Sequence, residues 1–509
     1  MIVNLLILFF AIIYFFLACR KLDWAVLLII IALPAYLIRF SILGLPMTML
    51  ELMILISFFV WFITKTNFKL FVRGKYGWKD FKENRLKREK YPWRWEIVLL
   101  LIISWVAIAT AGFSNGALGI WKAYFFEPIL VFILILNLFK DKKGIEKIIL
   151  AMAISAFAVS ALAIYQQLTG NLISNPLWAA AATRRVVSFF GYPNAVGLYL
   201  GPIAMMLTGY FFQLLLDKKE ISNDKFPMPN KAQSSKLKFF GSLDFGFDWK
   251  FGFWHLDFKM LFIALTIVIS LLSIIFAKSE GAMIGLAAAV FIFGILAGKK
   301  IRWTTLIFAV VIGGTILAYA PARNLALEKI QLHDLSGQIR RQQWKETWQM
   351  LNDGRLISGA GLDNYQQTIK PYHQEGIFVY DFNDPDFHAK LVASDELKKK
   401  VWQPTEIYMY PHNIFLNFWS ELGLFGMLLF VWIVIKYFYI SFGNWKLEIG
   451  NLVNQKNKYI SLGLMTAMIV IVIHGLVDVP YFKNDLAVMF WIMLAMLSLI
   501  KLQTKNEKV

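Results

Sequence analysis

Apolar and polar positions along this chain separate into long blocks instead of alternating residue by residue. The apolar blocks run to about twenty residues, the length a helix needs to cross a bilayer. They predict spans near 2–19, 24–43, 46–64, 95–113, 122–139, 148–168, 193–216, 260–277, 281–298, 303–320, 413–436, 459–477 and 485–502. Three longer polar stretches interrupt them, at 65–94, 217–259 and 321–412. The last of these is too long for a simple connector. Within it, "SGQIRRQQWKETWQML" places Arg340, Trp344 and Trp348 on one face of a predicted helix, at four-residue spacing.

Composition agrees with the pattern. Of 509 residues, 58% are hydrophobic and 17% charged, where a soluble protein carries roughly a quarter charged. The chain reads as an all-α polytopic integral membrane protein. Its segments are 1–64 (N-terminal spans), 65–94 (a basic cytoplasmic linker), 95–216 (central spans), 217–259 (a cytoplasmic excursion), 260–436 (a core with the loop 321–412) and 437–509 (C-terminal spans and tail). Part of the excursion, "FGSLDFGFDWKFGFWHLDF", has the aromatic content of an interfacial segment.

A net charge of +19 invites a nucleic-acid reading, but the lysines and arginines gather in short loops between apolar runs. That is the positive-inside pattern. Setting 65–94 inside places "KDKKGIEK", the excursion, "KKIR" and the C-terminal tail inside as well. The segments 169–192, 277–281 and 321–412 then fall outside. The single cysteine, Cys19, permits no intrachain disulfide. The first apolar run lacks a basic flank before it, so it is expected to be a span and not a cleaved signal.

The outer segments hold the candidate chemistry. Arg184 and Arg185 sit where topology disfavours positive charge, followed by the turn Gly191-Tyr192-Pro193-Asn194 and the start of a span. Guanidinium forks match phosphate oxygens, and a helix N-terminus adds N–H donors. Arg340 and Arg341 precede Gly359-Ala360-Gly361 and Tyr365, a turn able to approach a ligand closely. His412, between Pro411 and Asn413, precedes an apolar run that Asn413 can cap. The positive end of that helix disfavours imidazolium, leaving the neutral ring that a general base requires. Each feature has a plainer reading: headgroup binding for the first pair, a surface helix and turn for the second, an interfacial histidine for the third. His373 is a further histidine that no spacing selects, and "NDPDFH" has an acid-x-acid form that also makes an exposed turn. Metal-ligand spacing is absent from the outer segments.

Three stretches in order, "RRVVSFFGYPNAVGLYL", "IRRQQWKETWQMLNDGRLISGAGLDNYQ" and "YPHNIFLNFWSELGLFGMLLF", with "HGLVDVPYFKNDLAVMFWIMLAM" closing the chain, resemble the O-antigen ligase and polymerase superfamily. The resemblance runs from about Ala181 to the C-terminus. It implies a GT-C-like membrane enzyme of the bacterial cytoplasmic membrane, active on the outer face and without a cofactor. The implied reaction is metal-independent, inverting transfer of a glycan from undecaprenyl diphosphate to an acceptor hydroxyl on a lipid, glycan or protein. It further implies that Arg184 or Arg185 and Arg340 or Arg341 bind the diphosphate, and that His412 is the catalytic base. Where family members often carry Ser-Arg-Gly, this chain reads Lys278-Ser279-Glu280-Gly281, so Glu280 replaces the arginine and either Lys278 substitutes as a diphosphate contact or that subsite differs. A polymerase of the same superfamily and a lipid-linked glycan flippase remain alternatives. Ionisable residues such as Arg39, Glu51, Lys278, Glu280 and Asp478 lie near span ends, not at midplane, and no repeated halves are visible.

Overall fold

The apolar blocks fold into helices in this computed structural model, which describes residues 2–42, 45–65, 92–225, 258–450 and 457–506. The centre of the basic linker and the aromatic part of the 217–259 excursion lie outside the described residues. Among the described residues, eight helices are long and apolar enough to cross a membrane: Asn115–Leu138, Lys142–Thr169, Pro193–Lys218, Phe258–Phe276, Glu280–Ala297, Lys299–Ala318, Ile414–Lys446 and Asn484–Gln503. Shorter helices occupy most of the other predicted spans. The chain is an all-α polytopic membrane protein. Lys299–Ala318 has none of its residues buried although it is mostly apolar after its basic first turn, the surface expected of a helix facing lipid.

The predicted spans 24–43 and 46–64 take a different form. Helices α1 (Ile2–Arg20) and α2 (Leu22–Ile31) are followed by a 3₁₀ turn at Leu33–Leu37 that contains Pro34. Proline removes the N–H that a longer helix would need. The chain then turns back as a hairpin, β1 (Arg39–Ile42) against β2 (Leu45–Thr48), with Arg39 opposite Thr48 and Ile42 opposite Leu45. Helix α3 (Met49–Lys65) starts at a capping box. The Thr48 N–H donates to Glu51 Oε2 at 2.9 Å, and the Glu51 N–H donates to Thr48 Oγ1 at 3.2 Å.

The described residues form two compact units. The first comprises 1–151, 312–438 and 471–503. It contains α1–α3, α4 (Arg94–Thr110), α5 (Asn115–Leu138), and a cap built from the long polar segment. The cap's main elements are α6 (Leu335–Asn352), α7 (Tyr365–Ile369), and a small hairpin, β3 (Gly376–Phe378) with β4 (Trp402–Pro404). Its core joins Met350, Leu351, Ala360, Tyr365 and Ile369, with Tyr372, Ile407, Leu416 and Trp419 packed against them.

A helix break holds the cap in place. Helix α8 (Ile414–Gly450) is interrupted at Gly423, where φ is 74° and ψ −178°. That conformation is essentially confined to glycine. The break frees backbone groups that residues 357–360 satisfy. The Ala360 N–H donates to the Ser420 carbonyl at 2.6 Å, and the Leu424 N–H donates to the Ile357 carbonyl at 3.1 Å. A Cβ on Gly359 would lie 2.6 Å from the Ser420 and Trp419 carbonyl oxygens, and one on Gly361 would lie 2.8 Å from the Ala111 nitrogen. These glycines do permit a close approach, and what approaches is the protein's own helix backbone.

The second unit comprises 152–311, 439–470 and 504–509. Here α9 (Pro193–Lys225) meets α10 (Lys458–His474) through two glycines: a Cβ on Gly209 would lie 2.6 Å from Gly463 Cα. Small residues that let backbones touch are the usual means of packing helices in lipid.

Candidate active site

In the first unit, several of the candidate side chains gather where the cap enters α8. Asn413 Oδ1 accepts from the Phe415 and Leu416 N–H groups at 3.0 Å each, which caps the helix as its sequence position predicts. The Asn413 amide also donates to the Leu476 carbonyl at 3.1 Å, and the Ile414 N–H donates to the Gly475 carbonyl at 2.7 Å. The cap-to-helix junction is therefore stitched to the turn between the last two helices. His412 takes a left-handed backbone, φ 46°, a conformation costing a non-glycine residue about 1–3 kcal/mol unless its surroundings impose it. Trp344 contributes by donating its indole N–H to the Pro411 carbonyl at 2.9 Å.

That stitching brings His412 to an acid the sequence reading named only as an ionisable group near a span end. Nδ1 of His412 lies 3.9 Å from Oδ1 of Asp478, whose side chain is 2% exposed. Nδ1 itself is buried, so the ring's remaining exposure lies away from it. Tyr408 and Tyr410 hold the imidazole edge-on, with ring centroids 5.2 and 5.0 Å away. Burial alone would raise the Asp478 carboxyl, but His412, His474 and the Val479 N–H outweigh it and hold it at about 2. His474, one helical turn before Asp478, is 2% exposed. An imidazole whose Nδ1 faces a carboxylate presents Nε2 as its basic nitrogen.

Arg340 and Arg341 are divided by helical geometry, since neighbours on α6 point about 100° apart. Arg340 shares a face with Trp344 and Trp348, as four-residue spacing predicts: Trp348 meets Trp419 edge-on at 5.6 Å. The charge of Arg340 is felt at Tyr408 and His474. Half-buried, it forms no hydrogen bond or ion pair among the described residues. Arg341 is exposed and lines a groove against the β3 side of the cap.

His373 has both ring nitrogens occupied, with Nδ1 3.3 Å from Glu346 Oε2 and Nε2 3.3 Å from the Thr405 carbonyl. It braces the cap. The acids of 383–388 form an exposed turn, in which Asp384 pairs with Lys390 at 2.7 Å and accepts from the Asp386 N–H. Among the described residues no three His, Cys, Asp or Glu side chains are grouped as metal ligands.

The second unit holds the remaining cations, on a loop braced by Gln166. Oε1 of Gln166 accepts from the Val187 and Ser188 N–H groups, and its amide donates to the Ser188 and Leu172 carbonyls. Arg184 donates to the Ala179 and Gln167 carbonyls. Arg185 donates to the Ala277 carbonyl at 3.0 Å, the Lys278 carbonyl at 3.2 Å and Asn194 Oδ1 at 3.3 Å. Burial lowers the Arg185 pKa and Glu280 opposes this. Both arginines thus use part of their donor fork on the fold. Lys278, exposed at φ 50°, forms the tip of the hairpin that Arg185 fastens.

Sequence reasoning placed His412 and the Arg340 face but did not pair the histidine with Asp478. The available signal was the spacing of His474 and Asp478, four residues apart at a span end. A search of curated proteins gives no match. Residues 265–431 match the family described as O-antigen ligase, a stretch that includes Lys278, Arg340, Arg341 and His412 and leaves out Arg184, Arg185 and Asp478. Over that stretch, and in its membrane architecture, the chain is similar to the O-antigen ligase superfamily.

Proposed function

We propose that this protein is a metal-independent, inverting glycosyltransferase. It moves a glycan from an undecaprenyl-diphosphate carrier to an acceptor hydroxyl at the outer face of the bacterial cytoplasmic membrane. The observation that carries the reading is the His412–Asp478 pair at 3.9 Å, set at the mouth of a membrane helix. In the reaction, the acceptor oxygen forms a bond to the anomeric carbon as the bond from that carbon to the diphosphate oxygen breaks. His412 Nε2 takes the acceptor proton, and the Asp478 carboxylate stabilises the resulting imidazolium. Arg340 carries an uncommitted guanidinium whose charge acts on Tyr408 and His474 beside this pair. It offers two parallel N–H groups to the departing diphosphate, whose growing charge needs fixed donors. Arg184, Arg185 and Lys278 are proposed as further phosphate contacts, each to be tested by its own substitution.

The test uses purified protein in detergent with a polyprenyl-diphosphate oligosaccharide, an acceptor and excess EDTA, reading product by mass spectrometry. His412→Ala should lose at least about a hundredfold in rate, the scale of positioned acid–base catalysis. Arg340→Ala should lose a comparable amount. Full activity in both variants would end this mechanism. Movement of the donor across sealed vesicles without bond formation would favour a flippase instead.

A further inference from the structure

The groove beside Arg341 sets two basic side chains against a row of aromatic rings. It encloses about 490 Å³, within the roughly 300–1,000 Å³ common for small-molecule sites. One wall is α6, where Arg341 and Lys345 stand one turn apart. Both are exposed, and neither has an ion-pair partner among the described residues. The acid closest to them in sequence, Glu346, is buried and already accepts from Gln342 and the Gln374 N–H. The opposite wall is a row of alternate aromatics, Phe378, Tyr380 and Phe382, that line the same groove. Phe378 is 43% and Phe382 42% exposed.

These rings are held in register. Gln338 brackets Tyr380, its amide donating to the Tyr380 carbonyl at 2.8 Å while its Oε1 accepts from the Tyr380 N–H at 2.8 Å. The imidazole of His333 stacks on Phe382, with centroids 3.5 Å apart and planes within 6°. Phe378 rests edge-on against Trp402 at 5.0 Å. The result is a fixed, half-exposed aromatic strip facing two uncommitted cations.

From this groove we infer a binding site for an acidic saccharide, the acceptor glycan of the proposed transfer. The flat C–H faces of sugar rings lie against the aromatic strip. A carboxylate or phosphate on the sugar meets the planar fork of Arg341 and the ammonium of Lys345. The Gln342 carbonyl is left to accept from a hydroxyl. The inference rests on the transferase reading for the identity of its ligand, and on geometry alone for its chemistry.

The experiment titrates the full-length protein in detergent with tetragalacturonate, and with the neutral galactose tetrasaccharide as its counterpart. Tetragalacturonate should bind at least about tenfold more tightly, and added salt should weaken it. The double variant Arg341→Gln/Lys345→Gln should lose at least about tenfold in affinity. Arg341→Lys/Lys345→Arg, which keeps both charges, should retain most of it, and Phe382→Ala should weaken both saccharides. His412→Ala should bind like the unaltered protein. Equal affinity for charged and neutral saccharides would overturn the inference. So would binding insensitive to the double variant, or a variant effect seen only on phosphatidylglycerol vesicles. Saccharide binding without any transfer would leave the groove standing and remove the transferase reading. Transfer with an unchanged acceptor KM in the double variant would do the reverse.

Discussion

Replacing Asp478 by asparagine isolates the charge that the structure places behind His412. The side chain is 2% exposed, so solvent screens it little. Its carboxyl is held at about 2 against an ordinary 3.8, despite burial that acts the other way. The difference corresponds to about 2 kcal/mol in favour of the carboxylate, what remains of the pull of His412, His474 and the Val479 N–H after the opposing cost of burial. The carboxylate, 3.9 Å from the ring, offsets the positive charge that forms as His412 takes the acceptor proton, an interaction of roughly 1.5–2 kcal/mol. Asp478→Asn should therefore lower the transfer rate by about tenfold to thirtyfold. The same depressed pKa contributes stability that is complete above about pH 4 and lost as pH falls toward 2. The asparagine variant should lack that acid-sensitive component of unfolding. Transfer rates across pH, measured beside thermal unfolding, separate the two effects. An unaltered rate in Asp478→Asn, with His412→Ala inactive, would refute the pairing.

Two structural substitutions test how the site is held. Gly423→Ala places a Cβ 2.1 Å from the Ile357 carbonyl oxygen in a backbone region that disfavours side chains. Strain and overpacking together should cost roughly 2–6 kcal/mol, read as a large loss of thermal stability in detergent. A melting temperature unchanged in that variant would mean that the break in α8 does not anchor the cap. Asn413→Ala removes the cap of α8 and the link to Leu476. It should destabilise by about 1 kcal/mol and reduce transfer by more than that loss explains, since His412 would no longer be fixed against Asp478. Equal, small effects on stability and rate would assign Asn413 to the helix alone.

Much of this architecture is written locally. Predicted spans and observed helices agree over most of the described chain, because twenty consecutive apolar residues leave a helix as the economical way to satisfy backbone groups in lipid. The hairpin at 39–48 is the exception. Hydropathy registers how apolar a window is, and says nothing of how its backbone is paired. Pro34 and the Thr48–Glu51 capping box were the local signs, and both are short features inside an apolar stretch. The Arg340, Trp344 and Trp348 face was equally legible, since helical period alone sets it.

The sequence by itself determined that this is a helical membrane protein, that a long polar segment separates two of its spans, and that a histidine stands where that segment meets a helix capped by Asn413. Tertiary structure decided which groups that histidine meets. Asp478 reaches it through hydrogen bonds from the Asn413 side-chain amide and the Ile414 N–H to the Leu476 and Gly475 carbonyls, contacts that no local periodicity encodes. It also decided that the glycines at 359 and 361 admit the protein's own backbone, and that Arg340 and Arg341 face different surroundings. Local pattern fixes which face of a helix a residue occupies. What stands opposite that face depends on the packing of distant segments.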